Sequence, residues 1–343
     1  MLTHTSGNII AADVEALVNT VNCEGLMGKG IALQFKRAFP ANFRAYERAC
    51  RAGQVRIGRM FVFETHAPTN PRVIINFPTK EKWREGSKLE YIDLGLKDLI
   101  RQVRLLNVRS IAVPPLGSGL GGLNWSEVRP RIERAFAALP DVNATLFEPT
   151  GAPEPKDMPT GSPRPALTAA RALLIKLMAN YRELAYRLTL LEIQKLAYFL
   201  QITGERLRLQ YVGHTYGPYA HNLNKVLEVL EGHYTVGYGD QQKPDVEIDL
   251  LPGAAELADR YLEKHPESRS RLNRVAETIR GFETPYGMEL LASVHWAAVR
   301  AQTSNADAAI QAVHSWNDRK RLLMKPEHIR VAWLQLQRMG LIK

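Results

Sequence analysis

Hydrophobic and polar positions follow two different periods along the first 148 residues. Short apolar runs rich in β-branched residues predict strands, whereas apolar residues spaced three or four apart predict amphipathic helices. The predicted strands are Ala16–Val18, Met60–Phe63, Val73–Phe77, Ser110–Val113 and Ala144–Phe147. The predicted helices are Gly30–Ala38, Phe43–Ala52, Leu89–Leu105 and Trp125–Leu139. This alternation indicates an α/β fold with three α/β/α layers, in which helices cover both faces of a mixed, largely parallel sheet.

From residue 166 to residue 343 the apolar spacing is mostly helical, which predicts a mostly α-helical second domain. Two short runs, Arg208–Val212 and Val246–Leu251, predict strands between the helices. The predicted helices are Ala166–Tyr181, Thr189–Gln201, Tyr219–Leu230, Ala254–Lys264, Gly287–Val299 and Glu327–Met339.

A proline-rich segment separates the two patterns. Residues 149–165 read PTGAPEPKDMPTGSPRP and contain six prolines and two glycines. Proline has no backbone N–H and fixes its own φ, so this composition disfavours both helix and sheet. We therefore predict a first domain at residues 1–148, a semi-extended linker at 149–165 and a second domain at 166–343.

The composition limits location and cofactors. No run approaches the ~20 apolar residues of a membrane span, and Met1–Ile10 lacks the blocks of a signal peptide, so we expect a cytoplasmic protein without membrane contact. Cys23 and Cys50 form no CxxC pair, and the nine histidines show no HxxH or HExxH spacing, so we expect neither a metal nor another cofactor. The net charge of +10 favours a polyanionic partner such as nucleic acid, although a merely soluble basic surface gives the same value.

The first glycine-rich loop follows the predicted strand Ala16–Val18, in the sequence NTVNCEGLMGKGIALQF. Gly28 and Gly30 flank Lys29 at the start of the helix predicted from residue 30. Glycine lets backbone N–H groups approach a ligand closely, and a helix N-terminus carries partial positive charge. The loop therefore predicts a cradle for an anion such as a diphosphate.

A second glycine-rich loop, VPPLGSGLGGLNW, follows the predicted strand Ser110–Val113. Gly117, Gly119 and Gly122 fit the G-x-G-x-x-G pattern, so an NAD-binding dehydrogenase is one alternative. That pattern normally lies in the opening βαβ unit, whereas here it comes late and after two prolines. Two glycine-rich turns that only close the fold are the other alternative.

A basic segment, NFPTKEKWREGSKLEY, follows the predicted strand Val73–Phe77. Lys80 leaves the strand end at the same sheet edge as the two glycine-rich loops. Lys82, Trp83 and Arg84 provide cations and an aromatic ring, the mixture that grips a phosphate backbone and a stacked base. We predict that these three residues contact DNA, and a solvated charged surface is the alternative.

The motifs Ser6–Ile9, Asn19–Ala32, FPTK and PPLGSGLGGLNW together resemble the macrodomain, an ADP-ribose-binding fold, over about residues 1–148. Within that superfamily the chain is most similar to terminal ADP-ribose glycohydrolases, and especially to the DarG antitoxins. The second half resembles the SocA-like, Panacea-type domain of those antitoxins in LEIQKLAYFLQ, YGPYAHNLNKVLEVLEGHY and RVAWLQLQRMGLI. The resemblance implies that the first domain removes ADP-ribose from thymidine in single-stranded DNA.

The same resemblance implies that the second domain binds and inhibits a cognate DarT toxin. The partners would thus be ADP-ribose, ADP-ribosylated single-stranded DNA and that toxin. A toxin-binding surface that mimics DNA would be acidic. The acidic side chains that gather in the second half are Asp240, Asp245, Glu247, Asp249 and Glu256.

The resemblance also implies roles for individual residues. Lys80 matches the catalytic lysine of the glycohydrolase branch, and Asn22 would reach the distal ribose beside it. Asn8 and Ile9 would lie by the adenine, where Phe147 could stack or simply belong to the core. The remaining predicted ADP-ribose-binding residues are Asn19, Gly28, Gly30, Ile31, Thr79, Gly117, Ser118, Gly119, Leu120 and Gly121.

Two routes are open for Lys80. As a neutral amine it attacks C1 of the ribose, and as an ammonium ion it stabilises the departing base. Human-type members of the branch carry an aspartate where this chain has Gly121, which weakens the covalent route. A reader that binds ADP-ribose without hydrolysing it, and a hydrolase of protein-linked ADP-ribose, are the alternative functions.

Overall fold

A computed structural model describes residues 1–149, 158–183, 187–238 and 246–343. The described residues divide into two compact units, Met1–Pro163 and Arg164–Lys343. Part of the predicted linker, residues 150–157, lies outside the described residues, as do Asp240 and Asp245 of the predicted acidic group. Within the described residues, no helix is both long and apolar enough to cross a membrane.

In the described part of the first unit, six strands form one sheet in the order β1-β6-β5-β2-β4-β3. All neighbouring strands are parallel except β3 with β4. The strands are β1 (Leu2–Thr5), β2 (Ala16–Val21), β3 (Phe61–Glu64), β4 (Val73–Pro78), β5 (Ser110–Val113) and β6 (Asn143–Phe147). The helices are α1 (Gly30–Ala38), α2 (Pro40–Arg51), α3 (Leu89–Leu105) and α4 (Trp125–Phe136), with a 3-10 turn at Ile9–Ala11.

The sheet separates two layers of helices. Successive residues of a strand point to opposite faces. Val18 of β2 packs in one cluster with Ile92 of α3 and Val128 of α4. The neighbouring Leu17 packs in another cluster with Phe35 of α1. The predicted three-layer α/β/α fold with a mixed, largely parallel sheet is therefore confirmed.

The second unit is mostly helical, as predicted, and its described residues include two pairs of short antiparallel strands. Its described strands are β7 (Tyr211–His214), β8 (Gly217–Ala220), β9 (Thr235–Val236) and β10 (Asp249–Leu250). Its described helices are α5 (Ala169–Glu183), α6 (Leu190–Ile202), α7 (Leu223–Leu230), α8 (Ala254–Glu263), α9 (Pro266–Ile279), α10 (Pro285–Ala301), α11 (Ala306–His314), α12 (Asp318–Leu323) and α13 (Pro326–Arg338).

The helix predicted at Tyr219–Leu230 is wrong at its start. Tyr219 lies in β8, which pairs with β7 as a hairpin, and α7 begins at Leu223. The side chain of Gln194 in α6 accepts a hydrogen bond from the Ala220 N–H at 2.9 Å and donates to the Ala220 carbonyl at 3.1 Å. These tertiary bonds satisfy the backbone in an extended conformation, which overrides the local helical pattern.

Candidate active site

Three of the described loops leave the carboxyl ends of neighbouring parallel strands. Strands β2, β4 and β5 end at Val21, Pro78 and Val113, and β2 lies between the other two. Open α/β sheets bind ligands at such an edge because the loops there meet over the sheet. The loop after β2 and the loop after β5 are the two glycine-rich ones, and Lys80 follows β4.

Asn22 organises the loop after β2. Its side-chain nitrogen donates to the Leu26 carbonyl at 2.7 Å, and its side-chain oxygen accepts from the Glu24 N–H at 2.8 Å. The Tyr46 hydroxyl donates to the Asn22 backbone oxygen at 2.7 Å. Both ends of the Asn22 amide are thus engaged within the loop, and its contact with the ribose stays a prediction.

Asn19 and Thr79 lie beneath the loops rather than among them. Asn19 is fully buried on β2, where its side-chain nitrogen donates to the Asn76 side-chain oxygen at 2.9 Å. Asn76 in turn donates to the side-chain oxygen of Asn42 in α2 at 2.7 Å. Thr79 is almost fully buried, and its N–H donates to the Val21 carbonyl at 2.9 Å. These bonds fix the floor of the site, and direct ligand contact by either residue stays a prediction.

The start of α1 offers unused backbone donors. The first N–H groups of a helix have no acceptor within the helix. Within the described residues, the backbone N–H groups of Gly28, Gly30 and Ile31 donate to no protein acceptor. Gly30 has φ +58, a left-handed conformation that a side chain would strain. An anion at this position would accept hydrogen bonds that the protein leaves open.

The loop after β5 offers a second set of donors. Its turn is closed by the Ser118 N–H on the Pro115 carbonyl at 3.1 Å and the Leu123 N–H on the Gly117 carbonyl at 3.0 Å. Among the described residues, no acceptor is bonded to the N–H groups of the three residues in the middle of this loop. They are Gly119, Leu120 and Gly121.

Ser87 packs behind this second loop. Its N–H donates to the Gly121 carbonyl at 2.9 Å. A Cβ placed on Gly121 would lie 2.4 Å from the Gly117 oxygen and 2.3 Å from the Ser87 Oγ, closer than atoms can approach. Gly117 has φ +67 and also faces Ser87. The loop in this conformation therefore admits no side chain at position 121.

Lys80 joins the two glycine-rich loops. Its Nζ donates to the Leu120 carbonyl at 3.0 Å, and partial burial lowers the pKa of the ammonium below its ordinary value. The Leu120 side chain is 67% exposed, and its Cδ1 would lie 3.3 Å from a Cβ on Gly30. Lys80, Leu120 and Gly30 thus meet at one point between the two sets of open backbone donors.

The predicted adenine end lies near the 3-10 turn. The Asn8 side-chain oxygen accepts from the Ile10 N–H at 3.0 Å and caps that turn. Ile9 and Phe147 are both buried in the cluster that contains Phe35. The structure thus gives Phe147 a place in the core, and stacking on adenine stays a prediction.

The predicted DNA-contacting residues lie on a tight turn after Lys80. Trp83 is 44% exposed, and its backbone N–H donates to the Glu24 carboxylate at 2.8 Å. The Arg84 guanidinium lies 4.7 Å from the centre of the Trp83 ring. Lys82 makes an ion pair with Glu85 at 3.3 Å, so part of its charge is already compensated.

Glu24, Tyr46 and Ser87 were not predicted from the sequence, yet they hold the loops of the site. Their partners are backbone groups distant along the chain, such as Trp83 for Glu24, and no local pattern announces such bonds. Burial raises the pKa of the Cys23 thiol to about 11, which opposes a role as nucleophile. Within the described residues, no group of three or more His, Cys, Asp or Glu side chains could hold a metal ion.

Comparison with known proteins identifies related chains. The profile of the Macro domain family matches residues 18–132. A DNA ADP-ribosyl glycohydrolase of Thermus aquaticus is 48% identical over 344 residues, which cover 100% of this chain and 95% of that protein. A "DNA ADP-ribosyl transferase-DNA ADP-ribosyl glycohydrolase fusion protein" of Thermosipho africanus is 28% identical and covers 40% of this chain and 39% of that protein. The solved macrodomain of Mycobacterium tuberculosis DarG is 59% identical, covers 44% of this chain and 99% of that chain, and has a TM-score of 0.43. Because the similarity to the Thermus protein extends over the whole chain, this chain belongs to the DarG family of DNA ADP-ribosyl glycohydrolases.

Proposed function

We propose that the first unit hydrolyses the bond between ADP-ribose and thymidine in single-stranded DNA, with Lys80 as its catalytic residue. One observation carries this proposal: the Lys80 Nζ lies 3.0 Å from the Leu120 carbonyl, between two loops that each contain backbone N–H groups without an acceptor among the described residues. Membership of the glycohydrolase family supports the reaction type. The family also supports a cytoplasmic site of action, where the DNA lies.

The two loops suit a diphosphate. A diphosphate presents several anionic oxygens, and the open N–H groups near Gly30 and Gly119 supply donors without charged side chains. Fixed backbone dipoles need no reorganisation when the ligand binds. The distal ribose would then project from the diphosphate toward Lys80, with the loop around Asn22 on its other side.

Lys80 acts where charge develops. Cleavage of the bond to C1 of the ribose builds positive charge at C1 and negative charge on the departing base, and water supplies the new hydroxyl. An ammonium at Lys80 would stabilise the base, whereas a neutral amine would attack C1. Because no side chain fits at position 121, a carboxylate from that position would not assist either step.

Release of ADP-ribose from modified single-stranded DNA tests the reaction. We expect the wild-type chain to release it and Lys80→Ala to lose at least about a hundredfold in rate, the usual cost of removing a general acid or an electrostatic stabiliser. Lys97→Ala, an exposed lysine of α3, is the matched control and should keep wild-type activity. Equal rates for Lys80→Ala and the wild type would contradict the assignment.

The same assay separates the alternative functions. Binding of ADP-ribose by calorimetry without release from DNA or protein would indicate a reader. Faster release from modified protein than from modified DNA would indicate a hydrolase of protein-linked ADP-ribose.

We also propose that the second unit binds and inhibits a DNA ADP-ribosyl transferase toxin. The Thermosipho fusion protein, whose name joins a transferase and a glycohydrolase, supports a functional link between the two activities. The full chain carrying Lys80→Ala should still inhibit the transferase at equimolar concentration, because inhibition is independent of hydrolysis. Loss of inhibition in this variant, with folding intact, would overturn the proposal.

The acidic group predicted in the second half is partly neutralised. Asp249 pairs with Arg182, and Glu247 lies 4.0 Å from Arg187. These ion pairs reduce the negative potential that a DNA-like surface would need. Charge reversal at Glu247 should therefore weaken toxin binding little, as measured by calorimetry with the purified toxin.

A further inference from the structure

Two pairs of a cation and an aromatic ring lie next to the candidate active site. The Arg84 guanidinium is 4.7 Å from the Trp83 ring centre, and the Lys88 ammonium is 5.2 Å from the Tyr91 ring centre. The first pair lies on the turn after Lys80, and the second lies at the start of α3. Each pair places a flat apolar ring beside a positive charge.

The surface continues from Tyr91 along α3 to a turn at residues 56–59. Tyr91, Leu94 and Asp98 are three and seven positions apart and therefore share one side of α3. A Cβ on Gly58 would lie 3.1 Å from the Leu94 Cβ, and the Met60 N–H donates to the Asp98 carboxylate at 2.7 Å. Leu94 remains 43% exposed. The turn therefore lies against the same side of α3 as Tyr91.

The turn at residues 56–59 brings two more cations to this surface. Arg56 donates through Nε to the Gly53 carbonyl at 3.0 Å, and Arg56 and Arg59 both line an open surface cavity of about 370 Å³. The Ile57 backbone lies close enough to the Cys23 thiol to lower its pKa, which places the turn beside the loop after β2. The surface therefore borders the loop after β2 at two places. The turn at residues 56–59 lies beside Cys23, and the Trp83 N–H bonds to the Glu24 carboxylate.

The cations of this surface are available to a ligand. Within the described residues, four of them form no ion pair with a carboxylate, namely Arg56, Arg59, Arg84 and Lys88. Cations without ion pairs beside accessible rings, here the exposed Trp83 and the half-buried Tyr91, are the combination that binds single-stranded nucleic acid, because the cations contact phosphates and the rings stack on bases. Duplex DNA buries its base faces in the helical stack and would leave the rings unused.

We infer that this surface, which we call the α3 face, binds the nucleotides that flank the modified thymidine. Its residues are Arg56, Arg59, Trp83, Arg84, Lys88, Tyr91 and Leu94. The inference rests on the proposed function and adds a binding surface outside the ADP-ribose site. The occupant is single-stranded DNA, and the face contributes affinity for the strand and no chemistry.

Two substrates distinguish the contribution of the α3 face from that of the catalytic site. One is ADP-ribosylated thymidine as the free nucleoside, and the other is an oligonucleotide of about 12 nucleotides with one ADP-ribosylated thymidine. For the wild-type full chain we expect a KM about tenfold lower with the oligonucleotide, because only that substrate reaches the face. The double variant Arg56→Ala/Arg59→Ala should raise the oligonucleotide KM about fivefold and leave both constants for the nucleoside unchanged. Tyr91→Leu, which keeps an apolar side chain but removes the ring, should do the same.

A charge-matched control uses Arg109→Ala/Arg134→Ala. Both arginines are exposed and unpaired among the described residues. Arg109 directly precedes β5, at the end of that strand opposite to its glycine-rich loop, and Arg134 lies near the end of α4. This control should leave the oligonucleotide KM unchanged. The salt dependence of the oligonucleotide affinity should become shallower by about 1.4 in log–log slope in Arg56→Ala/Arg59→Ala, at about 0.7 for each lost phosphate contact.

Direct binding of the unmodified oligonucleotide, measured by fluorescence anisotropy, distinguishes failure of this inference from failure of the proposed function. Weaker binding by Arg56→Ala/Arg59→Ala than by the control supports the α3 face even if neither modified substrate is hydrolysed, a result that would overturn only the proposed function. Equal affinity of both double variants for the oligonucleotide, or equal affinity of the wild type for single-stranded and duplex DNA, would overturn the α3 face. Hydrolysis of both substrates with the same KM would overturn it too, and the proposed function would stand.

Discussion

Lys80 lacks a carboxylate partner among the described residues, so its charge state is governed mainly by burial. Burial lowers the pKa of the Lys80 ammonium because the charged form loses hydration. A lower pKa brings deprotonation closer to neutral pH and so favours the neutral amine relative to an exposed lysine. The Leu120 carbonyl accepts a hydrogen bond from the amine in both charge states, so this contact orients Nζ without choosing between the routes.

The pH dependence of kcat discriminates between these routes. If the ammonium stabilises the departing base, kcat falls as pH rises through the lowered pKa of Lys80. If the neutral amine attacks C1, kcat rises over the same range. We expect the ammonium route, and Lys80→Arg should then keep measurable activity with no loss at high pH, because arginine stays protonated.

A rise of kcat with pH in the wild type, together with a dead Lys80→Arg variant, would contradict the ammonium route. Trapping of a covalent adduct on Lys80 would contradict it as well.

Gly121 limits the second glycine-rich loop sterically. Gly121→Ala places a Cβ 2.4 Å from the Gly117 oxygen, so the loop must move at a cost of about 1–3 kcal/mol. Gly119→Ala is the matched control, because nothing lies within 4 Å of a Cβ at that position. We expect native-state hydrogen exchange of the sheet amides to report destabilisation only for Gly121→Ala. Equal protection in the two variants would show that the loop relaxes freely.

At the scale of elements, the central strands of the first unit's sheet were predictable and its edge strand β1 was not. Every residue of β4 is buried, and its sequence VIINFP is apolar at every position except Asn76. In β1 only Leu2 is even half-buried, and the edge strand is held by pairing with β6, which no local pattern encodes.

The site shows the same division. Glycine spacing predicted the two loops, because glycine marks positions where the backbone adopts a conformation or a close approach that other residues disfavour. The contact of Lys80 with Leu120 joins residues 40 positions apart and depends on the neighbourhood of strands β4, β2 and β5. The hydrogen bond from the Ser87 N–H to the Gly121 carbonyl likewise joins residues that are distant along the chain and meet only in the folded domain. Sequence reasoning therefore identified the two glycine-rich loops and Lys80, which the structure brings together, and missed Glu24, Tyr46 and Ser87, which hold these loops.

The hairpin β7–β8 tests how far tertiary bonds determine an element. Gln194 satisfies both backbone groups of Ala220, so Gln194→Ala leaves a buried donor and a buried acceptor unpaired. We expect a loss of about 1–3 kcal/mol in the stability of the second unit. Gln311→Ala, an exposed glutamine within α11, should change stability by less than about 0.5 kcal/mol. Equal thermal midpoints for the two variants would show that the hairpin does not depend on Gln194.

At the scale of the whole molecule, the chain combines two compact units that fold around separate cores. The first unit includes residues 158–163, which belong to the predicted linker. The Arg37 guanidinium donates to the Met158 carbonyl at 3.4 Å and to the Thr160 hydroxyl at 3.3 Å, and the Gly161 N–H donates to the Arg37 carbonyl at 2.9 Å. Part of the proline-rich segment is therefore held against the end of α1, the helix that begins in the ligand loop at Gly30.

The contact between Arg37 and residues 158–161 predicts how the stability of a first-domain fragment depends on its C-terminal residue. Arg37 is only 8% exposed, and a fragment ending at residue 149 would remove two of its hydrogen-bond acceptors and uncover a buried guanidinium. We expect the fragment 1–163 to be more stable than the fragment 1–149 by about 1–3 kcal/mol, because hydrogen bonds to buried charged groups contribute in that range. Thermal unfolding of the two fragments measures the difference. In the full chain, Gly161→Ala should mimic the shorter fragment, since its Cβ would lie 1.9 Å from the Ala38 carbonyl oxygen and push the segment away. Identical unfolding midpoints for the two fragments would mean that residues 158–163 contact α1 without stabilising the first unit. The residues after β6 would then contribute nothing to its stability.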